Sequence, residues 1–151
     1  MLPKKCPITK PKRKRTPKKN LEGRVVKDCL LALHNCPDVI YVERRNTGSL
    51  EIEDGGWITF GSPGAADIWC LAKVHLKEMI VPENENDPYE FRPSDSFLVK
   101  HVEIECKRAD GKGRQSEIQK EFQESCDNHN IPYILTTSAV DMIEKLYRIL
   151  S

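Results

Sequence analysis

The chain has 151 residues, the length of one domain, with 31% charged and 7% aromatic residues, a composition suited to a soluble globular body. No apolar run nears the roughly 20 residues that a membrane span requires, and the basic start lacks the apolar core of a secretory signal, so membrane and secreted classes are excluded at this stage. The net charge of +1 hides a division: nine of the 24 Lys and Arg lie in residues 1–19, which hold no acid, leaving 15 basic against 23 acidic residues and a net −8 for residues 20–151.

Two regions follow from that division. Residues 1–19 carry Pro3, Pro7, Pro11 and Pro17, which oppose a helix, so they read as a disordered basic arm suited to polyanions. Lys12, Arg13, Lys14 and Arg15 form its densest run. As a bare charge run the arm is equally a solubilising tail, or in a eukaryotic setting a nuclear address. Residues 20–151 form the expected folded domain. The six cysteines include no Cys-x-x-Cys pair, and their apolar-periodic positions suit free, buried thiols in a reducing compartment.

Asn20 is placed to cap a helix running to about Asn35, with Leu21, Val25, Cys29 and Leu33 as its apolar stripe. Val39–Val42 reads as a strand, Asn46-Thr47-Gly48 as a turn, and Asp54-Gly55-Gly56 as a second turn leading into the strand Trp57–Phe60. The Gly61–Gly64 loop opens onto another strand, Ala66–Leu71. Residues 77–97, with three prolines, six acids and one Arg, read as an acidic surface excursion with little regular structure. Phe97–Lys107 is a strand, Gln115–His129 a helix and Pro132–Thr136 the last strand. Ser138 caps a final helix whose predicted stripe is Val140, Ile143, Tyr147 and Leu150. The pattern is α/β: a central mixed β-sheet flanked by helices.

The strand 98–107 carries the chemistry. Alternation sends Val102, Ile104 and Cys106 to one face and Glu103, Glu105 and Lys107 to the other. That second face is either a solvated surface or a metal ligand, Glu105, beside a lysine that handles water. Asp67 begins a strand after a Gly-Pro-Gly loop that permits close approach; alone it is a turn residue, and beside Glu105 it is a second hard-oxygen ligand for Mg²⁺ or Mn²⁺. Glu22, in the first turn of the first helix, is either a helix-dipole partner worth about 0.3–1 kcal/mol or a third acid facing inward. Gln119 completes a Ser116-x-x-Gln119 capping box and also lies on the side of its helix that faces the sheet.

Glu22, Gly61-Ser62-Pro63-Gly64-Ala65-Ala66-Asp67, Glu105-Cys106-Lys107 and Gly113-Arg114-Gln115-Ser116-Glu117-Ile118-Gln119 occur in that order. Together with Arg44-Arg45-Asn46-Thr47-Gly48 and Ile131–Leu135, the set resembles a VRR-NUC domain, the virus-type replication-repair nuclease branch of the PD-(D/E)XK superfamily, across residues 20–150. The resemblance implies a restriction-endonuclease-like core and a Mg²⁺- or Mn²⁺-dependent deoxyribonuclease that selects branched DNA such as junctions or flaps. It implies metal binding by Asp67, Glu105, Glu22 and the backbone carbonyl of Cys106, with Lys107 holding the attacking water and Gln119 supporting the site. DNA contacts would come from Lys12, Arg13, Lys14, Arg15, Arg44 and Arg45, and a homodimer in the cytoplasm of a bacterial or phage-infected cell is the implied setting. Ala66 stands where the pattern usually has Pro, and the 77–97 segment is longer than the compact form. The alternatives are a decayed, non-cleaving DNA-binding scaffold and a sequence-specific restriction-type nuclease.

Overall fold

A computed structural model describes residues 21–82, 84 and 87–151; the basic arm and Asn20 lie outside them. The order is α1 (Leu21–His34), β1 (Val39–Arg44), β2 (Gly48–Glu51), β3 (Trp57–Phe60), β4 (Ile68–Ile80), β5 (Glu90–Cys106), α2 (Glu117–Asn128), β6 (Tyr133–Thr136) and α3 (Ala139–Leu150). Four strands form one mixed sheet in the order β1-β4-β5-β6, antiparallel except for the β5–β6 pair. The architecture is α/β, as the alternation of segments predicts.

The two faces of the sheet follow from the period of two along β4 and β5. Ile68, Cys70 and Ala72 on β4 meet Val102, Ile104 and Cys106 on β5, and all six are fully buried. Val25, Val26, Cys29 and Leu33 of α1 and Met142, Leu146 and Leu150 of α3 close over them. The α1 stripe is the one the sequence predicts. The α3 stripe is met in part: Leu150 is buried and Ile143 packs against the core, but Val140 is 70% exposed and Tyr147 45%. Apolar residues surround much of that helix, and the docking surface on the sheet selects Met142 and Leu146, which share a face at i and i+4. All five described cysteines are free and buried.

The segment 77–97 also departs from expectation. Rather than an irregular loop, it extends the β4–β5 ladder to Ile80 opposite Glu90 as a two-stranded arm. Its prolines fit because Pro93 sits beside the register irregularity between His75 and Lys77, where a missing ladder donor costs little. Residues 48–51, which no sequence signal marked as a strand, pair with Trp57–Phe60 to make a separate hairpin. Pairing supplied from far along the chain, or by a short partner, overrode local composition in both places.

Candidate metal centre

The other face of β5 is buried too, although it is polar. Glu103 is 4% exposed, Glu105 1% and Lys107 5%, so the solvated-surface alternative does not hold. Asp67 enters this face just ahead of β4, where the Arg45 N–H donates to its carbonyl at 2.8 Å. The Cys106 N–H donates to Asp67 Oδ2 at 2.9 Å, which fixes the carboxylate against the end of β5. Glu22 reaches the same point from the first turn of α1. One ligand oxygen from each of Glu22, Asp67 and Glu105 lies within 4.8 Å of the others.

Two glycines make this convergence possible. Gly64 has φ +80° and lies against Ile118 at the start of α2, whose side chain and carbonyl a β-carbon would strike. Any other residue there would push the Asp67 loop off α2. At Gly113 a β-carbon would come within 2.9 Å of the Arg108 nitrogen and 3.1 Å of the Lys107 β-carbon, so glycine lets the loop fold back over Lys107.

Gln119 settles its two candidate roles by filling both. Its backbone N–H donates to Ser116 Oγ at 3.3 Å while its Oε1 accepts from the Ser116 N–H at 3.0 Å, a complete capping box. The same side chain donates through Nε2 to Glu105 Oε1 at 2.5 Å and accepts from Lys107 Nζ at 2.9 Å. Lys107 Nζ also donates to Glu105 Oε1 at 2.6 Å and lies 3.8 Å from Glu22 Oε1. With two of its three protons given to Glu105 and Gln119, the ammonium retains one for a water or for Glu22.

Glu105 is the electrostatic centre of the arrangement. Burial pushes its carboxyl up to about 7, against the downward pull of the Lys107 hydrogen bond, and the negative charges of Asp67 and Glu22 push the same way as burial. All of its hydrogen bonds fall on Oε1; Oε2 is buried with no partner. An orphaned buried acceptor costs about 1–3 kcal/mol, and two further carboxylates lie close to the same group. A divalent cation would remove both penalties by replacing the proton and taking the free oxygen as a ligand. The oxygen-only donor set fits Mg²⁺ or Mn²⁺, with Glu105, Asp67 and Glu22 as ligands. Cys106 contributes its N–H to Asp67, and its thiol lies on the opposite, apolar face.

The expected DNA contacts divide. Lys12, Arg13, Lys14 and Arg15 lie outside the described residues. Arg44 ends β1 opposite Ile68 and is exposed. Arg45 is committed elsewhere: its Nη1 and Nη2 donate to Glu103 Oε2 and Oε1, both at 2.7 Å. His101 Nε2 also meets Glu103 Oε1 at 2.7 Å, and its ring stacks on Trp69 with centroids 5.1 Å apart and planes 4° from parallel. Sequence reasoning missed His101 and Trp69, although the alternation that marked Glu103 and Glu105 also places both on this face.

Comparisons with family models, with curated proteins and with solved structures found no match for this chain. Among the described residues no helix is long and apolar enough to cross a membrane.

Proposed function

We propose that the protein is a metal-dependent deoxyribonuclease that hydrolyses phosphodiester bonds, acting on branched DNA. The observation that carries this reading is the unpartnered Oε2 of Glu105 beside Asp67 and Glu22, with Lys107 hydrogen-bonded to the other oxygen of the same carboxylate. A cation site alone would not need a buried ammonium among its ligands, whose charge opposes that of the ion. A hydrolytic site does, because an attacking water must be held and the charge on phosphate offset. The DNA substrate is supported by the ordered motif set that resembles the VRR-NUC branch and by the basic arm.

A bound Mg²⁺ or Mn²⁺ supplies a water of lowered pKa and positive charge against the scissile phosphate. The remaining work belongs to side chains of this chain. Lys107 orients the water for in-line attack on phosphorus, forming one P–O bond as one ester P–O bond breaks. Gln119 holds both Lys107 and Glu105, so it positions rather than reacts. Asp67 and Glu105 approach from adjacent strands with register fixed by the ladder, which keeps the ligand geometry rigid. The homodimer that the resemblance implies has a surface available in the β4–β5 arm, where the register partners Met79 and Phe91 are 54% and 63% exposed.

The test is cleavage of an end-labelled four-way junction, a flap and a matched duplex with Mg²⁺, Mn²⁺ or EDTA, with Lys107→Ala alongside. Metal-dependent cutting of the branched substrates, lost in the variant, is the expected result. Binding without cutting by the wild type under both metals would favour the scaffold alternative.

A further inference from the structure

The cluster next to the metal centre is built for something other than metal. Glu103, its buried carboxylate, is fully paired with Arg45 and His101. These groups border a cleft of about 520 Å³ lined by Arg45, Ser62, His101, Phe122, Ser125 and Ile131, with Glu103 and Cys126 completing it. That volume falls within the range of small-molecule sites. The His101 ring stacks on Trp69 with centroids 5.1 Å apart, and Tyr41 lies against the Trp69 ring at 5.2 Å, tilted by 42°. Phe122 lines the cleft as well and carries the Arg45 guanidinium 5.9 Å from its centroid.

Position gives the cleft its meaning. Glu103 precedes Glu105 by two residues on β5, and Trp69 follows Asp67 by two on β4, so the cluster occupies the row of side chains beside the candidate metal ligands, about 7 Å away at strand spacing. Arg45 and Glu103 neutralise one another, and the remaining lining is two rings, two hydroxyls, a thiol and an isoleucine. Such a lining suits a flat, heteroaromatic group better than a phosphate, which would meet an arginine already committed to Glu103.

We propose that this cleft binds an unpaired nucleobase, which extends the Trp69–His101 stack, so that the substrate is DNA with at least one unpaired nucleotide next to the cut. The inference rests on the nuclease reading for the word "cut", whereas binding of the base does not require cleavage. A base inside a duplex is stacked on its neighbours and cannot enter; one at a branch or in a flap enters without first breaking a pair.

The test uses the full chain in EDTA, so that nothing is cut, and fluorescence anisotropy on a flap substrate and a matched duplex. Abasic sites are placed one at a time along the unpaired strand. Removing the base at the one or two positions nearest the branch weakens wild-type binding about tenfold, the usual worth of one stacked base. Abasic sites farther out have no effect, because the basic arm sees phosphates alone. In Phe122→Leu and, separately, His101→Gln, the abasic and intact flaps bind alike, with folding checked by circular dichroism. Equal binding of abasic and intact strands by the wild type overturns the proposal, as does equal affinity for duplex and flap. An RNA flap that binds more tightly than its DNA counterpart overturns the DNA assignment, and a mononucleotide as tight as the strand overturns the strand assignment. In a parallel assay with Mn²⁺ in place of EDTA, failure of cleavage with base-dependent binding intact would sink the nuclease reading and leave the pocket standing; cleavage indifferent to abasic sites would do the reverse.

Discussion

The two faces of β5 differ in what burial is for. On one, Val102, Ile104 and Cys106 are fully buried against α1 and α3, where removing apolar area from water at roughly 25 cal/mol per Å² stabilises the fold. On the other, Glu103, Glu105 and Lys107 are almost as buried, yet each is a charge that water would otherwise solvate. One alternating strand thus carries the core and, one residue away, a polar cluster that opposes folding. Glu103 is fully compensated by Arg45 and His101; Glu105 is not, since its Oε2 has no partner. The uncompensated carboxylate is the one next to Asp67 and Glu22. The contrast separates a fully paired carboxylate from one that a bound cation would complete.

The largest effect that sharpens this contrast lies in the site. Glu105→Gln and Asp67→Asn should lower the cleavage rate by about 10³-fold or more, the cost of losing a positioned charge-stabilising group, while leaving the unfolding midpoint in EDTA unchanged or raised. Glu105→Gln keeps the shape of a carboxyl that burial already holds protonated up to about 7. Loss of the fold in either variant would show these carboxylates to be structural.

On the closed face, Ile104→Ala should destabilise by about 2–5 kcal/mol in urea unfolding without changing the affinity for Mn²⁺. A metal affinity that fell with it would mean that the two faces are not separable.

The third prediction uses pH. The folded chain keeps the Glu105 proton up to about 7, whereas an unfolded glutamate releases it near 4.5. The metal-free protein therefore holds this contribution in full below about 4.5 and loses it as pH rises through about 7, on the order of 3 kcal/mol for a fully buried group. Urea titrations in EDTA across that window should show the fall, and Glu105→Gln should remove it. Saturating Mn²⁺ should restore stability at the alkaline end, because the ion binds the folded state alone.

The smallest effect is at the cap. Gln119→Leu should cost about 1 kcal/mol of stability for the lost bond from the Ser116 N–H and, because Lys107 and Glu105 lose the amide that holds both, a further loss of cleavage rate. A stability change with no kinetic change would reduce Gln119 to a capping residue.

The sequence made one half of this contrast plain. Strict alternation in 98–107 separated the carboxylates from the apolar residues, and the helix expected from Gln115 begins at Glu117, behind its Ser116-x-x-Gln119 cap. Glu22 carried two readings, a helix-start acid or a third acid facing inward, and the choice between them was out of reach because nothing local says that α1 begins beside the ends of β4 and β5. Arg45 looked like a free cation because its partner Glu103 lies 58 residues on. The arm at 77–97 was obscured by its prolines and acids, which describe an exposed ribbon as well as a loop. Half of the α3 stripe was misplaced because the helix is apolar around most of its girth and its docking partner decides which side is buried. Apart from the local β2–β3 hairpin, what escaped was long-range: an ion pair, a ladder or a packing choice.

The central claim is that Glu22, Asp67 and Glu105 together bind one divalent cation. Its most direct test is a calorimetric Mn²⁺ titration of the full chain at about pH 8, above the Glu105 titration, with Asp67→Asn and Glu105→Gln in parallel. One ion per chain in the wild type, with affinity reduced at least about 100-fold in both variants, is the result expected. Equal, weak uptake by all three proteins would contradict the account and leave a buried polar cluster without a metal.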